Sequence, residues 1–298
     1  MTFPCLCELE IRNCPKLTKF PDLPLSLTSM IIENVGLQML PRIHDKQPST
    51  EEALATTSKE DWWTSRLTRL QVHQCHRLRS LGSGLLQQQH LLKSLEMLSI
   101  KNCDNVICDI PDGFKDLTAL KEISLYDCLK MLVDNFHTSV RTMEISECFI
   151  AQGPWVDEHP FLFSVWDLEN TLLLRLGMFD QLPSLEILEI DGCDVFFTDS
   201  SDFAWLEKLQ ILSIRNCREM CGLPENLCTL PGLEELCVEN CPAINKLPAK
   251  GLPMSLKRLS ISKCCPQLIK RCLDDELDGP KIALIDVVYI DGKCIKPK

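Results

Sequence analysis

The chain has 298 residues, 45% hydrophobic and only 6% aromatic, and carries 31 Lys and Arg against 42 Asp and Glu for a net charge of −11. A balance this acidic, with no basic run, lacks the electrostatic footprint of a nucleic-acid binder and argues against DNA or RNA as a partner. No apolar run approaches the ~18 residues that a membrane span needs. Met1 opens no basic, apolar leader and no N-x-S/T acceptor occurs, so the expected compartment is intracellular and reducing.

One short pattern recurs along the chain: LCELEIRNC, LTRLQVHQC, LEMLSIKNC, LKEISLYDC, LEILEIDGC, LQILSIRNC, LEELCVENC and LKRLSISKC. Ten copies align, with their last aliphatic residue at Ile11, Ile32, Val72, Ile100, Leu125, Ile145, Ile190, Ile214, Val238 and Ile261. Three residues later stand Cys14, Val35, Cys75, Cys103, Cys128, Cys148, Cys193, Cys217, Cys241 and Cys264. In LEMLSIKNC the spacing of Leu98 and Ile100 puts both on one face of a short strand, with Met97, Ser99 and Lys101 on the other. A single copy cannot bury its apolar side. Stacked copies can, with parallel strands about 4.8 Å apart and the chain returning over the opposite side. Leu223-Pro224 and Leu247-Pro248 suit that return, since proline cannot donate to a ladder.

Two steps between copies are long. From Val35 to Cys75 the chain carries a polar insertion, 42–64, closed by Trp62 and Trp63, which are expected to pack back on the return side. Between Cys148 and Cys193 the segment 149–184 has room for one degenerate repeat and holds Trp155, Phe161, Phe163 and Trp166. At the far end, 265–298 is expected to cap the stack. There IALIDVVYIDGKCI supplies a final strand or two, with Val287, Tyr289 and flanking aliphatics over the last edge, and Asp274, Asp275 and Glu276 form a solvated turn. The first copy starts at Leu6 with no polar cap before it, which suggests a piece of a longer polypeptide. The whole of 1–298 is thus read as one domain of about ten to eleven repeats.

The eighteen cysteines invite disulfide or zinc chemistry. Nine occupy the inward slot, where cysteine acts as a small buried hydrophobe. Cys5 and Cys7, Cys264 and Cys265, and Cys217 and Cys221 lack the paired spacing of a structural zinc site. His73 and Cys75 should face opposite ways, so His73, Cys75 and His76 form no ligand set. No phosphate loop, dinucleotide fingerprint, nucleophile elbow or H-E-x-x-H motif occurs. The expectation is a non-enzymatic chain with no catalytic residue, cofactor or metal.

Outward strand positions are therefore the candidate site. Six carboxylates crowd the middle strands, giving Glu122, Tyr126, Asp127, Glu144, Glu147, Glu189 and Asp191 as the expected partner-binding residues. Lys and Arg return toward the ends. An acidic centre of this kind would select a basic partner surface, and ordinary solvated strand charge is the alternative reading.

The repeat period of 23 to 24 residues between Cys193 and Cys264 is that of leucine-rich repeats. LPENLCTLPGLEELCVENC resembles the leucine-rich-repeat region of plant intracellular nucleotide-binding disease-resistance receptors. CPQLIKRCLDDELDGPKIALIDVVYIDGK is similar to the tail of their cereal coiled-coil type. The resemblance implies an α/β leucine-rich-repeat solenoid, a curved horseshoe with a parallel sheet on the concave face and loops and short helices on the convex face. It also implies effector sensing and autoinhibition in innate immunity, in the cytoplasm or in cytoplasm and nucleus. The partners would be a pathogen effector, a guarded host protein, or a nucleotide-binding domain supplied by a longer chain. The coiled coil and nucleotide-binding module of that family are absent from this sequence. A substrate-recruiting repeat domain of an F-box-type ubiquitin-ligase adaptor is the alternative.

Overall fold

The computed structural model describes residues 5–44, 64–110, 113–128, 132–133, 136–146, 148–151, 172–175, 182–195, 206–274 and 276–296. The chain divides into two compact units, Met1–Ser139 and Val140–Lys298. Each of the ten aligned copies is a strand, and the fold is a leucine-rich-repeat solenoid of parallel strands.

The first unit holds β1 (Glu8–Cys14), β2 (Ser29–Val35), β3 (Arg69–His73), β4 (Met97–Lys101), β5 (Glu122–Tyr126) and the two-residue β6 (Leu132–Val133). β1 to β5 pair in chain order, all parallel and in the same register: Leu70 lies beside Leu98 and then Ile123, and Val72 beside Ile100 and then Leu125. Those six side chains are at most 1% exposed. The alternation of two residues per pleat puts every second side chain into this core. β2 pairs directly with β3, so the forty-residue step costs the ladder nothing. Residues 45–63, including Trp62 and Trp63, lie outside the described residues.

The second unit holds β7 (Thr142–Ser146), β8 (Cys148–Ala151), β9 (Leu172–Arg175), β10 (Ile187–Asp191), β11 (Asp194–Val195), β12 (Ile211–Arg215), β13 (Glu235–Glu239), β14 (Arg258–Ser262), β15 (Val287–Ile290) and β16 (Lys293–Lys296). β7, β10, β12, β13, β14 and β15 form one parallel ladder, and β16 closes it as an antiparallel hairpin. The irregular stretch contributes no strand to that ladder: β9 pairs with β8, which pairs with β11, in a separate small sheet. Trp155, Phe161, Phe163 and Trp166 lie outside the described residues.

The last strand takes its register from β14. Val288 and Ile290, at 0% and 4% exposure, face the core, while Tyr289 is 38% exposed. β15 must match Leu259 and Ile261 of β14, which it does through Val288 and Ile290. Two short helices precede it, α1 (Pro266–Cys272) and α2 (Gly279–Ile282). Between them Asp278 is fully buried and holds Arg271 at 2.7 Å, Lys281 at 2.8 Å and the Leu247 N–H at 3.3 Å. Burial alone would raise its pKa. The bonds from Arg271, Lys281 and the Leu247 N–H outweigh that, so its carboxyl lies below the ordinary range.

Leu98→Ala or Leu212→Ala should lower stability by about 2–5 kcal/mol in denaturant melts, since both side chains are completely buried. Asp278→Ala should cost roughly 3 kcal/mol, near the low end for a broken buried ion pair because Arg271 and Lys281 reach solvent. A folded pKa below the unfolded value stabilises the fold above the unfolded pKa, near 3.9, and that contribution is lost as pH falls through the folded value. The difference in melting midpoint between wild type and Asp278→Ala should therefore shrink only in acid.

Candidate interaction faces

Wherever the residue beyond a strand of the repeat is among the described residues, the same backbone feature ends the strand. The residue after the strand core is left-handed: Asn13, Asn34, Gln74, Asn102, Asp127, Asn216, Asn240, Lys263 and Asp291 have φ between 46° and 55°, and Gly192 has φ 62°. Asparagine and aspartate tolerate this region better than most residues. Their side chains also join neighbouring turns: Asn34 donates to Asn13 at 3.1 Å, Asn216 to Asp191 at 2.6 Å and Asn240 to Asn216 at 2.7 Å. The main chain follows suit, with the Asn102 N–H on the Tyr126 carbonyl and the Asn240 N–H on the Ser262 carbonyl.

That turn swings the next side chain inward. Cys75, Cys103, Cys128, Cys193, Cys217, Cys241 and Cys264 are all buried. Several thiols also donate to the carbonyl of the preceding turn: Cys103 to Val72 at 3.7 Å, Cys128 to Ile100 at 3.3 Å, Cys193 to Ile145 at 3.8 Å and Cys264 to Val238 at 3.6 Å. Burial pushes Cys128 up to about 12 and Cys264 up to about 11. Cys14 departs from the pattern and is exposed. The slot is covered by the turn before it, and no strand pairs with β1 on that side among the described residues. The side chain of Cys148 lies outside the described residues. His73, Cys75 and His76 are separated as alternation requires. His73 lies on the open sheet face with Nε2 3.1 Å from the Ser99 hydroxyl, Cys75 is in the core, and His76 lies at the strand end, paired with Asp104 at 3.0 Å.

The side chains that do not enter the core form three rows across the open face of each ladder. In the first unit the middle row runs Glu10, Ile31, Gln71, Ser99, Ser124 and the last row Arg12, Glu33, His73, Lys101, Tyr126. Arg12 bonds both Glu10 and Glu33. Burial, then the charge of Lys101, holds the His73 imidazole below its usual value. Glu122 and Tyr126 stand exposed on β5, as the alternation expects. Asp127 does not join them on the strand. It is the left-handed residue beyond β5, half-buried, and burial followed by the neighbouring Asp104 charge raises its pKa.

In the second unit the middle row runs Glu144, Glu189, Ser213, Cys237, Ser260, Tyr289 and the last row Ser146, Asp191, Arg215, Glu239, Ser262. Glu144, Glu189 and Asp191 all lie on this face, while Glu147 lies outside the described residues. Toward β14 the charges cancel, through Arg258 with Glu235 at 3.1 Å and Lys263 with Glu239 at 3.0 Å. Exposed pairs of this kind add little stability. Toward β10, Glu189 makes no hydrogen bond or ion pair among the described residues, and its charge acts on Arg215 of β12. Ser99, Ser146 and Ser213 lie on the open face yet are 4%, 6% and 3% exposed. The hydroxyls of Ser146 and Ser213 have no partner. Strand alternation alone marks serine as outward and cannot reveal this.

The fold is thus that of leucine-rich repeats. No family model and no curated protein matches the sequence. Among solved structures, the chain is similar to that of a TLR13–ssRNA13 complex, with a TM-score of 0.50 and 17% identity over 86% of this chain. It spans only 39% of that chain, so the likeness speaks to the fold alone. No helix among the described residues is long and apolar enough to cross a membrane.

Alkylation of the native protein with iodoacetamide should modify the exposed Cys5, Cys7, Cys14, Cys221 and Cys294 quickly and leave Cys103, Cys128, Cys217 and Cys264 intact until the chain is denatured, as read by peptide mass spectrometry.

Proposed function

We propose that this chain is a non-enzymatic protein-interaction region whose open strand faces select a partner. The supporting observation is the contrast between the two sides of each ladder. One side is a continuous aliphatic and thiol core with nothing left to bind. The other carries rows of varied, solvent-facing side chains on rigid strands, which is where solenoids place their binding surfaces. The carboxylates of Glu189 and Asp191 on the open face favour a basic protein surface. A net charge of −11 disfavours a phosphate backbone such as that of the single-stranded RNA in the TLR13 complex.

The finer reading rests on the repeat and tail that resemble plant nucleotide-binding disease-resistance receptors. On it, the chain is a sensor region for pathogen effectors or a guarded host protein, working inside the cell. It would also restrain a nucleotide-binding module carried by a longer polypeptide. The ADP/ATP switch belongs to that module and to no residue of this chain.

Partner binding by the Glu144→Lys/Glu189→Lys double variant should fall at least about tenfold and lose its salt sensitivity, while Lys93→Glu, away from the strand face, leaves it unchanged. Equal binding by all three proteins at low salt would remove the strand face from the function. Co-expression in leaf tissue with an autoactive nucleotide-binding receptor half should reduce cell death if the restraining role is right.

A further inference from the structure

In the first unit, the turns that follow β2, β3 and β4 enclose a groove of about 570 Å³, lined by Gln38, His76, Arg77, Arg79, Asn105 and Ile107. That volume suits a short peptide or a small ligand. The main chain fixes its floor: the Arg79 N–H bonds the Gln38 carbonyl at 3.2 Å, and the Ile107 N–H bonds the Arg79 carbonyl at 3.0 Å. Side chains fix its His76 wall. His76 Nδ1 lies 3.0 Å from the Asp104 carboxylate, and the Asn105 amide donates to the His76 carbonyl at 2.9 Å. Leu78 is 1% exposed, so Arg77 and Arg79 on either side of it point away from the core, and both are exposed. Neither guanidinium makes a hydrogen bond or ion pair among the described residues. The carboxylates of the turn after β4 are engaged elsewhere, Asp104 on His76 and Asp109 on the Ser80 hydroxyl at 2.7 Å and on the Gly82 N–H. Ile107, 44% exposed, adds an apolar wall beside the two cations.

We propose that this groove binds an extended acidic peptide of a partner protein. Carboxylates at alternate residues meet Arg77 and Arg79, and an apolar side chain of the peptide lies against Ile107. The planar fork of arginine takes a carboxylate through two parallel bonds, and arginine clusters are a recurring way to read acidic motifs. Arg77 and Arg79 are two residues apart, at most roughly 7 Å along the chain. Alternate side chains of an extended peptide repeat at roughly 6.6 Å, so the two spacings match. The Gln38 amide offers one donor group and one acceptor to the peptide main chain. A bare phosphate makes no use of Ile107, and a nucleic-acid backbone calls for a longer basic track than two arginines. The groove lies at the turns rather than on the open strand face, and it takes a partner segment of the opposite charge, so it goes beyond the reading above.

The test uses the full chain and the peptide acetyl-Glu-Ala-Glu-Ala-Leu-amide, with glutamine in place of both glutamates as the uncharged control. Amide resonances of Arg79, Asn105 and Ile107 should shift with the acidic peptide and not with the control. Arg77→Gln and Arg79→Gln should each weaken the titration at least about threefold, as loss of one exposed charged contact does, and the double variant should remove it. Arg66→Gln, which deletes the same charge ahead of the opposite end of β3, should leave it unchanged. The melting midpoints of Arg77→Gln and Arg79→Gln should equal that of wild type, because neither side chain has a partner to lose, so weakened binding is not unfolding. Inorganic phosphate should bind more weakly than the peptide. Equal shifts with the glutamine control, full binding by the double variant, equal weakening by Arg66→Gln, or no shift at these amides overturns the acidic-peptide groove. Phosphate binding as tightly as the peptide overturns it in favour of a bare anion site. These variants leave Glu144 and Glu189 untouched, so failure of the groove does not bear on the strand face.

Discussion

Everything in this molecule depends on one geometric constraint: each turn of the chain is covered only by the turns beside it. Leu98 and Ile100 are fully buried because Leu70 and Val72 lie on one side and Ile123 and Leu125 on the other. The left-handed residue at the end of each strand makes that repetition possible, because it ends the strand at the same point and sends the next side chain inward. The thiol that follows is small enough to fit under the neighbouring backbone and polar enough to meet its carbonyl. Where the covering turn is missing, as at β1, the same sequence gives half-exposed Leu9 and Ile11 and an exposed Cys14.

The repeat is legible in the sequence because it combines a two-residue alternation with a fixed spacing to cysteine, and neither depends on distant residues. The asparagine before the cysteine is equally visible, in RNC, KNC and ENC, but its part in turning the chain shows only in the backbone angle it adopts. Which face of the final strand meets the core is not legible, because Val287, Val288, Tyr289 and Ile290 are all apolar. Alternation there carries no information, and only the match to β14 decides. Asp278 is hidden for a different reason. Its three partners come from Leu247, Arg271 and Lys281, and only the folded chain brings them together.

The candidate face is legible in outline and not in depth. Alternation correctly sends Glu122, Tyr126, Glu144, Glu189 and Asp191 to the open side of their strands. It cannot tell a solvated serine from a buried one, and Ser99, Ser146 and Ser213 are buried. Nor can it anticipate which charges cancel. Pairing of Arg258 with Glu235 and of Lys263 with Glu239 quiets one end of the second unit.

The buried Asp278 cluster carries a consequence for how the second unit comes apart. In a stack held by nearest neighbours, unfolding begins at whichever end is least secured and propagates inward one turn at a time. Arg271, Lys281 and the Leu247 N–H tie both short helices and the preceding turn to a single carboxylate, so this end can only open as a block. A protease would find little purchase at the turn before these helices until that one carboxylate has let go of all three partners.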